Sequence, residues 1–236
     1  MSLDADHTLA LGELEELVVE LSILVVHDEA DIHAAAVLYG NGALEELVAV
    51  DFVVEHLTDS VEDRSLLRRF IAGKGADGLE GYLKSCALDD EYSGESRTYL
   101  VKDSVTRALA CYFSLRTCLV PLAVDSETFV TIPAIELSNF AVNEQYRQSQ
   151  KKVRKIGAYV FLEFILPIVK HTAGIVGAKW LCVYSLPMSG LMKYYETLGF
   201  RSLAPDDEAF VYSHVKPKYD TDCIFMYQCI EKPKTP

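Results

Sequence analysis

Hydrophobic and polar residues alternate along three stretches between residues 95 and 142, namely SRTYLVKD, RALACYFSLRT and the run from Ile132 to Val142. A period of two residues is typical of β-strands with one buried face. Lys102, Asp103 and Ser104 form a polar turn between the first two runs, so the pattern predicts an antiparallel meander. The intervening segment CLVPLAVDSETFVTIP is predicted to be a loop or an irregular segment.

The spacing of apolar residues changes near residue 156. A long helical pattern opens at Ile156, and a strand pattern, AKWLCVYSLP, comes after Gly174 and Gly177. The next segment, SGLMKYYETLGF, is expected to form a helix with Ser189 as its N-cap and Gly199 at its end. A strand, a helix and a strand with these connection lengths predict a parallel pair of strands.

The other patterned stretches complete the predicted elements. VDFVVEHL (50–57) reads as a first strand, and two helical patterns cover 61–73 and 78–92. After Phe200 we expect a short strand, an acidic loop, a brief strand around Phe210 to Ser213, and a final strand from Cys223 to Ile230. The segment between Asn143 and Lys155 is polar and basic and is predicted to be a loop.

The N-terminal stretch has its own helical pattern. Residues 9–26 place leucines and valines at helical spacing, with glutamates on the other side, which predicts an amphipathic helix. We therefore divide the chain into an acidic helical extension, residues 1–49, and a main domain, residues 50–236. The apolar stripe of the extension is expected to pack either on the main domain or in a homodimer contact.

Composition restricts the classes of function. The chain has 236 residues, 50% of them hydrophobic and 24% charged, with a net charge of -13. This acidity is not what general nucleic-acid binding requires, and it favours cationic substrates such as amines or basic peptides. The six cysteines include no CxxC pair, so free thiols in a reducing cytoplasm are expected rather than disulfides or a zinc site. No secretory signal and no membrane-spanning helix are expected, since the most apolar run contains Glu163 and Pro167.

A cluster of cations precedes the helix that opens at Ile156. Five of the 22 Lys and Arg residues lie within nine positions: Arg147, Lys151, Lys152, Arg154 and Lys155. The N–H groups of a first helical turn have no partner inside the helix, and the helix dipole adds partial positive charge there. The order strand, basic loop and helix therefore predicts a phosphate-binding site.

These residues resemble the acyl-CoA-binding core of the GNAT N-acyltransferases. The matching order is a fourth strand, a Q/RxxGxG/A loop, a helix, a fifth strand and a YxxxGF helix. Here Lys152, Lys155 and Gly157 stand at the loop positions, and Tyr195 to Phe200 read YETLGF. Lys152 and Lys155 depart from the loop pattern and Gly157 matches it. The resemblance implies an α/β (α+β) fold with a mixed, mostly antiparallel sheet of about seven strands flanked by helices.

The resemblance also implies that acetyl-CoA is the co-substrate and that no metal takes part. Its phosphates are expected at the basic loop and the helix start, and its pantetheine arm along the edge of the fourth strand, as an added strand would bind. The helix preceding Gly199 is expected to add Ser189. The residues expected to bind the cofactor are Phe140, Ala141, Val142, Arg147, Lys152, Arg154, Lys155, Ile156, Gly157, Ala158 and Ser189.

Two residues are candidates for acid–base chemistry. Glu136 is the only carboxylate in the run Phe129 to Asn143, and its position resembles that of the general base in some members of the family. Even spacing along a strand would place Glu136, Ser138 and Phe140 on one face. Tyr195 matches the tyrosine of YxxxGF that protonates the leaving thiolate in many members, and a phenol is protonated at neutral pH.

The leading hypothesis is an N-acetyltransferase that acts on a primary amine of a small molecule or a peptide. One alternative is a non-catalytic acyl-CoA-binding or interaction protein. Another is a toxin-type enzyme that acetylates aminoacyl-tRNA, because the segment before TYLV also resembles those proteins, although the acidity of the chain counts against an RNA substrate. A nucleotide-binding protein fits the basic loop, but the sequence has neither GxGxxG nor GxxxxGK[ST].

Overall fold

The computed structural model describes residues 51–125, 127–150, 153, 155–215 and 222–230. The predicted helical extension, residues 1–49, lies outside the described residues, and so does the homodimer contact considered for it. Lys151, Lys152 and Arg154 of the basic segment also lie outside them.

Seven strands form one sheet. They are β1 (Phe52–His56), β2 (Arg97–Asp103), β3 (Leu109–Ala123), β4 (Phe129–Val142), β5 (Trp180–Ser185), β6 (Arg201–Ser202) and β7 (Ile224–Cys229). Their order across the sheet is β1-β2-β3-β4-β5-β7-β6. β4 and β5 are parallel and every other neighbouring pair is antiparallel, which confirms both the predicted meander and the predicted parallel pair.

Helices cover both faces of the sheet. They are α1 (Val61–Arg69), α2 (Asp77–Ser85), α3 (Ala87–Ser93), α4 (Glu144–Ser149), α5 (Ile156–Val160), a π-helical turn (Phe161–Ile165), α6 (Leu166–Val176), α7 (Ser189–Thr197) and α8 (Pro205–His214). On one face, Leu67 of α1 and Leu83 of α2 pack against Leu100 and Tyr112 of the sheet. On the other face, α5, α6 and α7 pack against β2 to β5.

The segments α5, the π-helical turn and α6 form one continuous helix, Ile156–Val176, which we call the core helix. It is the one helix among the described residues that is long and apolar enough to cross a membrane, judged by length and composition. Its buried stripe, which includes Val160, Phe161, Ile165 and Val169, packs in the main core beside β4 and β5. A core helix passes the same test of length and composition, and this packing is that of a core helix.

The segment 118–133 is not a loop, contrary to prediction. Residues 118–123 and 129–133 form the distal halves of β3 and β4, which pair from Cys111 and Val142 out to Ala123 and Phe129. Pro121 is tolerated in β3 because β2 pairs with β3 only as far as Leu115, so the outer edge of β3 beyond that point needs no ladder hydrogen bond to β2.

Three further elements differ from prediction. The brief strand expected around Phe210 is part of α8, which begins with Pro205 at its first position and has acidic residues in its first turn. The helical pattern over 78–92 is divided at Cys86 into α2 and α3. The basic segment contains the short helix α4, because the side chain of Asn143 accepts a hydrogen bond from the N–H of Gln145 and caps it.

Candidate functional site

A gap between two strands of the sheet opens into a cavity. β4 and β5 pair only at Ala134–Trp180, Ile135–Leu181 and Glu136–Cys182, and the two strands separate beyond these pairs. The gap opens into a cavity of about 1180 Å³. Its walls include β4 from Leu137 to Val142 and β5 from Val183 to Ser185, together with α2, α3, the start of the core helix, and α7.

A β-bulge in β4 lies at the point where the strands separate. Ser114 pairs with Asn139 and Leu115 pairs with Leu137, so Ser138 is the extra residue. The bulge reverses the alternation of side chains. Leu137 and Phe140 consequently both belong to the core on the side of the core helix, whereas Ala134 belongs to a core on the other face.

This overturns the expectation that Glu136, Ser138 and Phe140 share one face. Residues two positions apart share a face only where the strand pairs regularly. The extra residue at the bulge places Glu136 and Phe140 on opposite faces. Glu136 pairs with Arg116 of β3 and Cys182 of β5, and Cys182 belongs to the core opposite that of Phe140.

The start of the core helix, where the phosphates of the cofactor are expected, lies in the cavity wall. Ile156, Gly157 and Ala158 all line the cavity. The first backbone N–H bonded within the helix is that of Tyr159, which donates to the carbonyl oxygen of Lys155 at 3.1 Å, so the three preceding N–H groups have no partner inside the helix. They are suited to binding an anion.

Lys155 is the N-cap of the core helix and has a left-handed backbone conformation, with φ of 56° and ψ of 31°. The resemblance places a glycine at this position, and the conformation is the one that glycine adopts without steric cost. Lys155 adopts the same left-handed conformation, which costs roughly 1–2 kcal/mol for a residue that has a Cβ.

Two of the predicted cations line the cavity. They are Arg147, on α4, and Lys155. Arg147 also forms an ion pair with Glu144 one turn earlier on the same helix. Phe140, Ala141 and Val142 line the cavity as well, and on their other edge they pair with Phe113, Tyr112 and Cys111 of β3. This leaves the gap-facing edge of β4 next to the cavity.

Tyr195 lies in the cavity wall with only 5% of its surface exposed. Its ring packs edge-on against Phe200, with 5.3 Å between the ring centroids. Burial raises the pKa of Tyr195, so the hydroxyl stays protonated through the neutral range. The neighbouring Tyr194 places its hydroxyl 3.0 Å from the point where a Cβ on Gly157 would lie. Gly157 therefore permits the close approach of α7 to the core helix.

Glu136 is buried in an ion pair with Arg116. The guanidinium Nε donates to Oε2 at 2.9 Å and Nη2 donates to Oε1 at 3.0 Å. Glu136 lines a second, smaller cavity of about 280 Å³, not the large one. Arg116 and Tyr184 line both cavities, so the ion pair lies at the boundary between them.

Ser189 does not stand where it was predicted. It is the first residue of α7 rather than its N-cap, which is Met188, and no side-chain hydrogen bond caps this helix. Ser189 is exposed and does not line the cavity. The backbone turns at Leu186–Met188, where the N–H of Met188 donates to the carbonyl of Leu186, and this places Met188 in the extended conformation that an N-cap requires.

The resemblance implies that the helices after the first strand shape the acceptor site, but the individual residues of the wall formed by α2 and α3 were not predicted. This wall includes Leu79, Tyr82, Cys86 and Asp90. Nothing in the residue pattern indicates that these helices reach the gap, because the contact depends on how they pack over β4.

No family model matches the chain, and no curated protein matches it. Solved structures do. A tyrosine-to-phenylalanine variant of the AtaT toxin, bound to the C-terminus of the antitoxin AtaR and acetyl-CoA, is 18% identical with a TM-score of 0.54, over 76% of this chain and 94% of that one. A tyrosine-to-phenylalanine variant of KacT is 14% identical with a TM-score of 0.54, over 76% and 95%. AtaT complexed with acetyl-methionyl-tRNA is 19% identical with a TM-score of 0.51, over 74% and 94%. The fold is therefore the GNAT fold that the order of motifs predicted.

Proposed function

We propose that this chain is an acetyl-CoA-dependent N-acetyltransferase that transfers the acetyl group directly to a primary amine. The supporting observation is the cavity at the gap between β4 and β5, where a strand edge, a helix start whose first N–H groups have no partner inside the helix, and a buried tyrosine line one space. One of the similar structures is a complex with acetyl-CoA. No group of three or more potential metal ligands occurs among the described residues.

The lining residues fit the parts of acetyl-CoA. The N–H groups of Ile156, Gly157 and Ala158, with Arg147 and Lys155 nearby in the wall, suit its phosphates. Lys152 and Arg154 are proposed to add charge there. The gap-facing edge of β4 at Phe140 to Val142 suits the amides of the pantetheine arm, which would bind as an added strand. A backbone N–H of this edge, at Val142 or its neighbour, is proposed to donate to the thioester oxygen.

Tyr195 is proposed as the acid that protonates the leaving thiolate. Its position in the wall supports this, and so does a raised pKa that keeps the proton available at neutral pH. Glu136 is proposed as the base. For this role it would exchange one hydrogen bond from Arg116 for one from the acceptor amine, and the supporting observation is that the ion pair lies at the boundary between the two cavities.

Thermal melting with acetyl-CoA tests the proposal. A ligand at a hundred times its dissociation constant stabilises a protein by about 2.7 kcal/mol, which is a clear shift in Tm. We expect acetyl-CoA to raise the Tm, and expect Lys152→Glu with Arg154→Glu to abolish the rise. Lys170→Glu with Lys179→Glu is the matched control, because neither of these lysines lines the cavity. An unchanged Tm in the unaltered protein would refute both an acetyltransferase and an acyl-CoA-binding protein.

Glu136→Gln and Tyr195→Phe distinguish an enzyme from a non-catalytic acyl-CoA-binding protein. In an enzyme they reduce turnover while acetyl-CoA binding persists. In a binding protein there is no turnover to lose.

A second candidate function is acetylation of aminoacyl-tRNA. The observation that favours it is the similarity to AtaT complexed with acetyl-methionyl-tRNA. The sequence predicts no general binding to nucleic acids, and this similarity does not support that expectation. The net charge of -13 opposes binding to a phosphate backbone, so we expect any such activity to fall steeply with rising salt. Acetylation of bulk aminoacyl-tRNA, measured at low and at moderate salt with acetyl-CoA bound, decides between tRNA and a free amine.

A further inference from the structure

The cavity extends to both faces of the sheet, and the proposed cofactor residues occupy only part of its wall. The core helix and α7 form the wall on one face. The α2–α3 wall, formed by Leu79, Tyr82, Cys86 and Asp90 with the glycine-rich turn before α2, lies on the opposite face. An acceptor that enters from the α2–α3 side would reach the gap without crossing the space assigned to the cofactor.

Asp90 is the one carboxylate among the described residues that line this cavity. The other charged lining residues are the cations Arg116, Arg147 and Lys155. Glu136, by contrast, lines the smaller cavity and is bound by Arg116. Asp90 is therefore the carboxylate that a ligand meets in the described wall of the large cavity.

The carboxylate of Asp90 is held from one side. Its Oδ2 accepts a hydrogen bond from the hydroxyl of Tyr82 at 3.0 Å and a longer one, at 3.5 Å, from Ser96. Within the described part of the chain, its Oδ1 has no hydrogen bond or ion pair. The side chain is half-buried, so one oxygen is fixed in place and the other is left to bind a ligand.

Tyr82 is in turn held by a buried polar cluster that leads to the bulge in β4. Its hydroxyl lies 2.9 Å from the Oγ of Ser96. The hydroxyls of Thr98 and Ser114 are 2.8 Å apart, and Ser138 donates to the carbonyl oxygen of Ser114 at 3.2 Å. Ser96, Thr98 and Ser114 are almost fully buried. This cluster connects the α2–α3 wall to the point where the strands separate, and it fixes the tyrosine that orients Asp90.

We infer that Asp90, oriented by Tyr82, binds a cationic ammonium group of the acceptor on the α2–α3 side of the gap. The inference rests on the proposed function and specifies its substrate class as amines that are positively charged when they bind. An ammonium has three N–H donors and no acceptor, so a carboxylate oxygen without a hydrogen bond is its natural partner. Asp90 thus determines acceptor binding, and the proton transfers assigned to Glu136 and Tyr195 are separate steps.

Isosteric substitutions test this assignment. Asp90→Asn removes the charge and keeps an oxygen that accepts from Tyr82. Asp89→Asn is the matched control, because it removes the same charge from the preceding, exposed position, which does not line the cavity. Tyr82→Phe removes the hydroxyl that orients Asp90. The probes are n-butylamine, spermidine and glycinamide, each titrated at saturating acetyl-CoA while release of the CoA thiol is followed.

We expect Asp90→Asn to raise the KM for the amine about tenfold or more, since hydrogen bonds to charged groups are the strong ones. Its kcat should change much less, and the Tm shift with acetyl-CoA should be unaltered. Tyr82→Phe should give an intermediate KM, and Asp89→Asn should match the unaltered protein. Equal KM values for Asp90→Asn and Asp89→Asn would overturn the inference. So would a protein whose Tm acetyl-CoA raises but in which none of the three amines releases CoA or alters the Tm. A missing Tm shift with acetyl-CoA refutes the proposed function itself, which is a distinct result.

Discussion

Arg116 and Glu136 stand directly opposite each other on β3 and β4 and are joined by two parallel hydrogen bonds of 2.9 and 3.0 Å. The Glu136 side chain is 3% exposed and that of Arg116 is 21% exposed. The geometry is the two-pronged one that guanidinium and carboxylate groups favour. A buried carboxylate at the edge of the cavity is thereby paired with a guanidinium.

Removal of that partner should destabilise the fold. Arg116→Met removes the counter-charge that Arg116 supplies to the buried Glu136 carboxylate, and we expect it to reduce the free energy of unfolding by about 3–5 kcal/mol. Arg116→Met with Glu136→Leu should recover most of the loss, because no charge then remains buried. Urea denaturation measures both. Lys84→Met, in an ion pair on the surface of α2, is the control and should have a much smaller effect. Similar losses at the two sites would contradict the reasoning.

Glu136→Gln should affect the chemical step. An amide cannot take a proton from the amine, so kcat should fall by roughly 10²–10⁴-fold, the usual contribution of general base catalysis. The dissociation constant of acetyl-CoA should stay the same, because Glu136 does not line the large cavity. Steady-state kinetics and ligand titration give the two values. A kcat that stays within threefold would show that the ion pair with Arg116 is structural.

Tyr195→Phe should change both catalysis and alkaline stability. Burial raises the pKa of the Tyr195 phenol in the folded protein, so the unfolded chain releases this proton first as the pH increases. The contribution of the protonated Tyr195 to the free energy of unfolding is fully present below the unfolded pKa of about 10 and is lost as the pH rises above that value. Tyr195→Phe should therefore lose less stability between pH 9 and pH 11 than the unaltered protein, while its kcat at neutral pH falls. Urea denaturation at several pH values is the measurement, and parallel curves for the two proteins would contradict the prediction.

Lys155 offers a matched pair of substitutions. Lys155→Gly and Lys155→Ala remove the same charge, but only glycine adopts φ near 56° without steric cost. We expect Lys155→Gly to be more stable than Lys155→Ala by about 1 kcal/mol in urea denaturation. Both should weaken acetyl-CoA binding to a similar degree if the charge of Lys155 contacts the phosphates. Lys155→Ala as stable as Lys155→Gly would show that the left-handed conformation is not retained.

Gly157 and Tyr194 should be coupled. A Cβ at position 157 would lie 3.0 Å from the Tyr194 hydroxyl and 3.8 Å from the Phe140 ring. Gly157→Ala should therefore cost more stability in the unaltered background than in the Tyr194→Phe background, where the hydroxyl is gone. A double-mutant cycle measured by thermal melting gives the coupling energy. A coupling of zero would mean that α7 moves away from the core helix at little cost.

Local patterns predicted most of the elements. The order strand, basic segment, helix, strand and helix follows directly from the spacing of apolar residues after residue 131. Gly199 has φ of 91° at the end of α7, which is why a glycine stop was a reliable signal there. Pro205 and the acidic residues after it are a helix signal, whereas the apolar run Phe210–Tyr212 is equally typical of a strand, so the pattern alone does not decide between the two.

Features that depend on pairing between distant strands were not predictable in the same way. The bulge at Ser138 leaves no mark in the sequence, because residues of both faces are buried around it and the polar residues Glu136 and Asn139 are buried with the apolar ones. The pairing of Arg116 with Glu136 depends on the register of a hairpin whose distal half the sequence pattern does not reveal. Asp90 is one of several acidic residues in its helix, and only the packing of α3 over the sheet distinguishes it from Asp89.

The short pairing between β4 and β5 has a mechanical consequence. Three residue pairs join these strands, whereas thirteen join β3 to β4. The sheet therefore consists of two parts, β1 to β4 and β5 to β7, with a narrow connection between them. A molecule bound in the gap would contact both parts of the sheet and hold β4 and β5 at a fixed distance. Binding in the gap should therefore make the sheet more rigid. Amide hydrogen exchange along β5 should slow when a ligand is bound there.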